Sequence, residues 1–303
     1  MKMRESRRVP LCAVLIIAGL SSAHPPGWEK IPLELRVAQN GRGLNEAMLR
    51  QAGYPVDTVA QLQDAARNGK RPDVRWLALS VLAARVGQEG IPVFKEAFKD
   101  SDYRVRVTGA LLSGAFGDKS GIPVLRRDLG TFAPRNGEPD PNLMKLQGEE
   151  LIQAKRRNVG QMTSAIQVAE ALSRLGDASG LTLAARVALE GEYALHRSQA
   201  IATLANLVVE AASDASVLAA QTIDPEAVLL AAAESETDHT VITSLKGNAA
   251  RLPREKARKM YEKLITSPHP TEKDREMMRG YLKMYDREAK KQSKAQSAEP
   301  KKQ

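Results

Sequence analysis

The sequence predicts an all-α chain, an α-solenoid of stacked helical hairpins. Three observations lead there. Val74-Arg75 recurs as Val105-Arg106, 31 residues on, and Gly90-Ile91-Pro92-Val93 recurs as Gly121-Ile122-Pro123-Val124 at the same spacing. A self-match at a period of about 30 residues is the signature of a helical array. Apolar residues follow the three-and-four rhythm of a helix face. Aromatics make up only 4% of the 303 residues, which favours close helix packing over a β-sandwich.

Within the first copy, Val74, Leu77, Ala78, Val81, Leu82 and Val86 form one apolar stripe. Pro72 suits a first helical turn, where a missing N–H costs nothing. Gly87 and Gly90 turn the chain. Ile91 opens a second helix, with Pro92 in its first turn and Val93, Phe94, Ala97 and Phe98 as contacts. The second copy has Asp102 as N-cap. Val105, Leu112 and Phe116 carry its stripe. Gly117-Asp118-Lys119-Ser120-Gly121 makes its turn, and Ile122, Leu125 and Leu129 line its return helix. Each pair is too small to bury its own face, so faces must stack on neighbours.

The run Asp102-Tyr-Arg-Val105-Arg106, Leu111-Leu112, Gly117-Asp118 and Gly121-Ile122-Pro123-Val124-Leu125 resembles the short bacterial HEAT repeat, the type also found in phycobilin lyases. The match covers residues 71–129 and is thinner elsewhere. Arg71 stands where the second copy has Asp102. The resemblance implies a HEAT/armadillo-like superhelix, a fold generally used for binding proteins. It does not imply catalysis, because fold and function separate easily.

Along the chain, Met1–Ala23 reads as a cleavable secretory signal. Lys2, Arg4, Arg7 and Arg8 start it, an apolar segment from Leu11 to Leu20 follows, and Ser21-Ser22-Ala23 offers a cleavage site. This places the protein outside the cytoplasm, secreted or periplasmic, with no transmembrane segment after cleavage. Residues 24–43 read as an extended strap, because Ile31, Leu33, Leu35 and Val37 alternate with period two. The solenoid then spans 44–290, beginning with a degenerate pair, Leu44–Gly53 and Val56–Asn68. Gly130 to Asn142 is rich in Gly and Pro and reads as an inserted loop. A helix over Leu143–Arg157 comes next. The repeat resumes with Met162, Ile166, Ala169, Leu172 and Leu175, then Gly176-Asp177-Ala178-Ser179-Gly180. Asp224-Pro225-Glu226 starts a further helix. Helices also fit Thr240–Arg251, Pro253–Thr266 and Thr271–Lys290. Residues 291–303 read as a disordered basic tail.

No catalytic constellation emerges. His24, His196, His239 and His269 form no i, i+4 pair, so no metal site is indicated. Cleavage after Ala23 would make His24 the first residue, and an N-terminal histidine can chelate copper; the known copper enzymes of that type are β-sandwiches, so the reading is set aside. Cys12 is the only cysteine and lies in the leader, which removes disulfide and thiolate chemistry from the processed chain. The Gly-rich turns lack the phosphate-loop order, and G-x-S-x-G is absent. No cofactor is indicated.

Two basic features remain. Arg75, Arg106 and Arg197 each stand three residues before a small residue on the first helix of a pair, beside the apolar stripe. They form either a ligand-binding ladder or a structural ladder to loop carbonyls or to capping carboxylates such as Asp102. The structural reading is preferred, since the planar guanidinium suits such bridging. Lys155, Arg156 and Arg157 form a possible basic patch, and Arg254, Lys256, Arg258, Lys259 and Lys263 a second. Net charge is +9, of which the first 23 residues carry +3. That is too weak to argue for nucleic acid. The expected function is a non-catalytic exported scaffold binding a protein or peptide. The alternatives are a lyase or metal-dependent enzyme using the groove, or an electrostatic binder of anionic polymer or membrane surface.

Overall fold

A computed structural model describes residues 33–132, 147–219 and 221–298, and among these every regular element is a helix. The leader at 1–23 and strap residues 24–32 lie outside the described residues, as do 133–142 of the expected loop. The chain divides into two compact units, 1–128 and 129–303.

The first unit holds α1 (Leu33–Gln51), α2 (Val59–Asn68), α3 (Pro72–Val86), α4 (Ile91–Glu96), α5 (Tyr103–Ala115) and the start of α6 (Ile122–Phe132). Helix α3 packs on α1, α2 and α5, and α4 packs on α5 and α2. The expected stripe is the core: Val74, Leu77, Ala78, Val81 and Leu82 are all buried, with Leu62, Phe94, Val105 and Leu112 against them. By length and composition the run Pro72–Lys99 could cross a membrane, but half of its apolar window is buried within this unit.

Two expectations fail here. Residues 33–43 are helical, not extended, because α1 begins at Leu33. Its buried positions, Ala38, Asn45, Glu46 and Leu49, keep helical spacing. Three of the four lie beyond Leu44, where the sequence already marks a helix; before it only Ala38 is buried among the described side chains, so no apolar stripe shows there. Glu46 is stabilised there by Arg85 of α3, which donates from Nε at 3.0 Å and Nη2 at 2.7 Å, and by Arg42 Nε at 3.1 Å. The loop also starts later than Gly130, since α6 runs through Phe132.

The second unit holds α7 (Gly148–Arg174), α8 (Ala178–Glu190), α9 (Ala194–Ser213), α10 (Pro225–Ser235), α11 (His239–Ala249), α12 (Arg254–Thr266) and α13 (Glu272–Ala298). Helix α9 packs on α7, α8, α10 and α11. Helix α10 packs on α8 and α12, and α12 on α11 and α13. The described part of the helix expected over 143–157 runs without a break into the one expected from Met162, as the 27-residue helix α7; residues 143–146 lie outside the described residues. Nothing between Arg157 and Met162 breaks it; Gly160 alone costs about 1 kcal/mol in a helix, too little to stop one held by packing. The tail is also shorter than expected, because α13 continues to Ala298. Lysine, Gln and Ala there are good helix formers, and composition alone misread them as disorder. Residues 299–303 lie outside the described residues.

The turns repeat in detail. Gly53, Gly117 and Gly176 all adopt positive φ, at 84°, 83° and 84°. In each case the next N–H reaches the carbonyl five residues back: Tyr54 to Leu49, Asp118 to Ser113 and Asp177 to Leu172, at 2.9, 3.1 and 2.8 Å. This is the closure of a helix C-terminus that a left-handed glycine permits. Asp118 and Asp177 then accept from the N–H of Ser120 and Ser179 at 2.8 and 3.0 Å, so both are caps. Asp102 and Asp224 cap α5 and α10 in the same manner.

Candidate functional site

Arg75, Arg106 and Arg197 occupy one position, the fourth residue of α3, α5 and α9. From there each side chain reaches back across the helix start and sideways to a carboxylate on or just after a later helix. Arg75 donates from Nε to Asp100 Oδ2 at 2.6 Å, from Nη2 to Asp100 Oδ1 at 2.8 Å, and from Nη1 to the Gly69 carbonyl at 2.7 Å. Arg106 grips Asp128 with Nε and Nη2, both at 3.3 Å, while Nη1 meets the carbonyls of Asp100 and Ser101 at 2.9 and 2.8 Å. Arg197 holds Glu236 at 2.7 and 3.1 Å, and its Nη1 meets Gly191 O at 2.7 Å and Glu192 O at 3.3 Å. The three guanidinium side chains are 13–17% exposed. Forked, charge-assisted pairs of this kind are the strong hydrogen bonds of proteins.

The carboxylates serve two chains of bonds at once. Asp100 Oδ1 also accepts from the Asp102 N–H at 2.8 Å, and Glu236 Oε1 accepts from the N–H groups of Thr237 and Asp238 at 2.9 and 2.8 Å. Each therefore ties an arginine to the approach of the next helix. Burial pushes Asp100 and Glu236 up, but Arg75 and Arg197, with these N–H donors, outweigh it and hold both below the usual carboxylate range. In the first unit the bonds run on without a gap: Arg75 to the Asp100 carboxylate, the Asp100 carbonyl to Arg106, and Arg106 to Asp128.

The preceding residue completes the device. Gly69 and Gly191 stand six positions before Arg75 and Arg197, and a Cβ on either would fall 2.6 or 2.5 Å from the carbonyl of Ala65 or Val187. Glycine is needed there for close approach, since φ is −55° and −60°. The shared Gly-x5-Arg spacing was a readable signal. Asp100, Asp128 and Glu236 were not readable, because they follow their arginines by 25, 22 and 39 residues. Asp102, the expected acceptor, instead caps α5 and pairs with Arg104 at 3.0 Å.

The other basic residues divide. Lys155, Arg156 and Arg157 lie on α7, and their side chains are outside the described part. The second set is consumed internally. Lys256 and Lys259 pair with Glu226 at 3.0 and 3.1 Å, Arg258 with Glu262 and Asp286 at 2.9 and 2.7 Å, and Lys263 with Glu234 at 2.8 Å. Arg254 stacks 5.5 Å above the Tyr285 ring. His24 lies outside the described residues, His196 is buried at 4% exposure beside Tyr193, and His239 sits 4.0 Å from Asp274. Among the described residues no group of three or more His, Cys, Asp or Glu is placed to hold a metal ion.

A cleft of about 270 Å³ opens between the α8–α9 and α10–α11 connections, lined by Leu189, Glu190, Gly191, Arg197, Ser235, Glu236 and Thr237. Its charged floor is the Arg197–Glu236 pair, whose donors are already directed at protein acceptors. The arrangement can brace helices; it presents no nucleophile beside a base and no pair of carboxylates with opposed protonation. No protein-family model matches the chain, and no curated protein matches it.

Proposed function

We propose that the chain is a non-catalytic binding scaffold of stacked helical hairpins, a HEAT/armadillo-like solenoid that holds a protein or peptide partner. One observation carries the reading: the same guanidinium clamp at the same helix position in Arg75, Arg106 and Arg197. Recurrence of a side-chain device at equivalent positions is what a repeat architecture produces, each hairpin bracing the next. The packing of α7, α9 and α11 in one series and α8, α10 and α12 in another supports it. So does the recurring Gly53, Gly117 and Gly176 turn. Extended repeat surfaces serve binding, and a groove whose charges are internally satisfied suits a macromolecular partner better than a reacting small molecule.

We also propose export, on the basic, apolar and small-residue order of residues 1–23. N-terminal sequencing of the protein from its native cells should begin at His24; a chain retaining Met1 would contradict this.

The scaffold reading is tested by cross-linking the full chain in its native envelope, followed by binding of the purified partner. A saturable complex with one protein or peptide is expected. No complex, together with stoichiometric copper in the processed chain that a His24→Ala variant loses, would replace the scaffold with the metal-dependent enzyme.

A further inference from the structure

The cations of α12 and α13 fall into two classes. Those of α12 are spent on Glu226, Glu234, Glu262, Asp286 and the Tyr285 ring. On α13, Arg275 and Arg279 pair with Glu272. Lys273, Lys283, Arg287, Lys290 and Lys291 are different: all five are exposed, and none makes an ion pair among the described residues.

Their placement is regular. Lys273, Met277, Gly280, Met284, Arg287 and Lys291 follow one another at alternating steps of four and three, so they form one stripe along α13. Lys283 and Lys290 flank it. The adjoining stripe, Met278, Tyr281 and Tyr285, roughly a third of a turn round the helix, is the side that meets α12, where Tyr261 stacks on Tyr281 at 5.3 Å. Met277 and Met284 border the packed side yet remain exposed, at 40% and 43%, and nothing stands within 4 Å of a Cβ placed on Gly280 between them. Two exposed carboxylates, Glu276 and Glu288, border the stripe.

We propose that this face of α13 docks on an anionic lipid surface, the cations meeting phosphate headgroups and Met277 and Met284 entering the boundary between headgroups and acyl chains. Flexible apolar side chains bracketed by Lys and Arg are what an interfacial helix presents. A polyphosphate strand would reward the charges but not the methionines, and the stripe holds no aromatic ring for base stacking. The lipid surface is the occupant that uses both features. The inference is independent of the scaffold reading, since it concerns only one helix face.

The full chain is sedimented with vesicles of phosphatidylglycerol and phosphatidylcholine, and with phosphatidylcholine alone. Binding only to the anionic vesicles, falling as salt rises, is expected. A variant with Lys283, Arg287, Lys290 and Lys291 changed to Glu should bind at least about tenfold more weakly. Met277→Ser with Met284→Ser should weaken binding about fivefold at unchanged charge. All six positions are exposed, so far-ultraviolet dichroism and melting should match the parent. Equal binding to both vesicle types, or full binding by the charge variant, would overturn the proposal. Full binding by the methionine variant, or tighter capture of duplex DNA than of anionic vesicles, would also overturn it by replacing the lipid surface as occupant.

Discussion

Arg75 and Asp100 meet as a planar fork and a carboxylate, with Nε–Oδ2 at 2.6 Å and Nη2–Oδ1 at 2.8 Å, both side chains 13% exposed. The pair joins the fourth residue of α3 to the end of the short helical turn Ala97–Lys99. It is buried enough that losing one partner strands the other in poor solvent. Arg75→Ala should therefore cost about 1.5–3 kcal/mol in a urea melt. Arg75→Lys should recover only part of this, because an ammonium is a point donor and cannot grip Asp100 and Gly69 O together. Full recovery by lysine would mean that charge alone, not the fork, holds the position.

The 31-residue recurrence and its apolar stripe were legible because they depend on local rhythm, and Val74, Leu77, Val81 and Leu82 are buried as that rhythm requires. Helix α1 was not legible at its start. Among the described side chains before Leu44 only Ala38 is buried, so no apolar stripe marks the helix there, while Ile31, Leu33, Leu35 and Val37 alternate as a strand would. The arginine row itself could be read, and so could its dependence on loop carbonyls. Its carboxylate partners could not, because second helices of unequal length put Asp100, Asp128 and Glu236 at three different separations.

The glycines that admit the clamp should be intolerant for a stated steric reason. Gly69→Ala and Gly191→Ala put a methyl 2.6 and 2.5 Å from a backbone carbonyl, and both should lower the denaturation midpoint. Gly247, inside α11 with nothing within 4 Å of its Cβ position, is the contrast. Gly247→Ala should stabilise by about 0.5–1 kcal/mol, since it removes only backbone freedom. Parallel melts of the three variants should give opposite signs; the same sign throughout would refute the steric argument.

Acid should unfasten these pairs. Lys246, Thr271 and the Thr271 N–H hold Asp274 down at about 2, against 3.8 for an ordinary aspartate. A carboxyl with a depressed folded pKa adds stability that is whole above its unfolded value and lost as pH falls through the folded one. For Asp274 the window runs from about pH 4 to about pH 2. Asp100 and Glu236 add losses of the same sign. Melts from pH 7 to pH 2 should show stability dropping over this acid limb, and Asp274→Asn should flatten it. A limb unchanged in Asp274→Asn would remove the carboxylate from the acid response.

The arginine row is tested most directly by urea melts of Arg106→Ala beside binding of the purified partner. Arg106 reaches Asp128, 3% exposed, and two carbonyls; Arg127 also holds Asp128, at 3.1 Å, so removing Arg106 takes one of two guanidinium groups from a buried carboxylate and strips both carbonyls of their donor. A stability loss of about 1.5–3 kcal/mol is expected, with partner affinity unchanged at temperatures where the variant is folded. Unchanged stability together with lost affinity for an anionic partner would contradict it, and would make Arg75, Arg106 and Arg197 a binding surface.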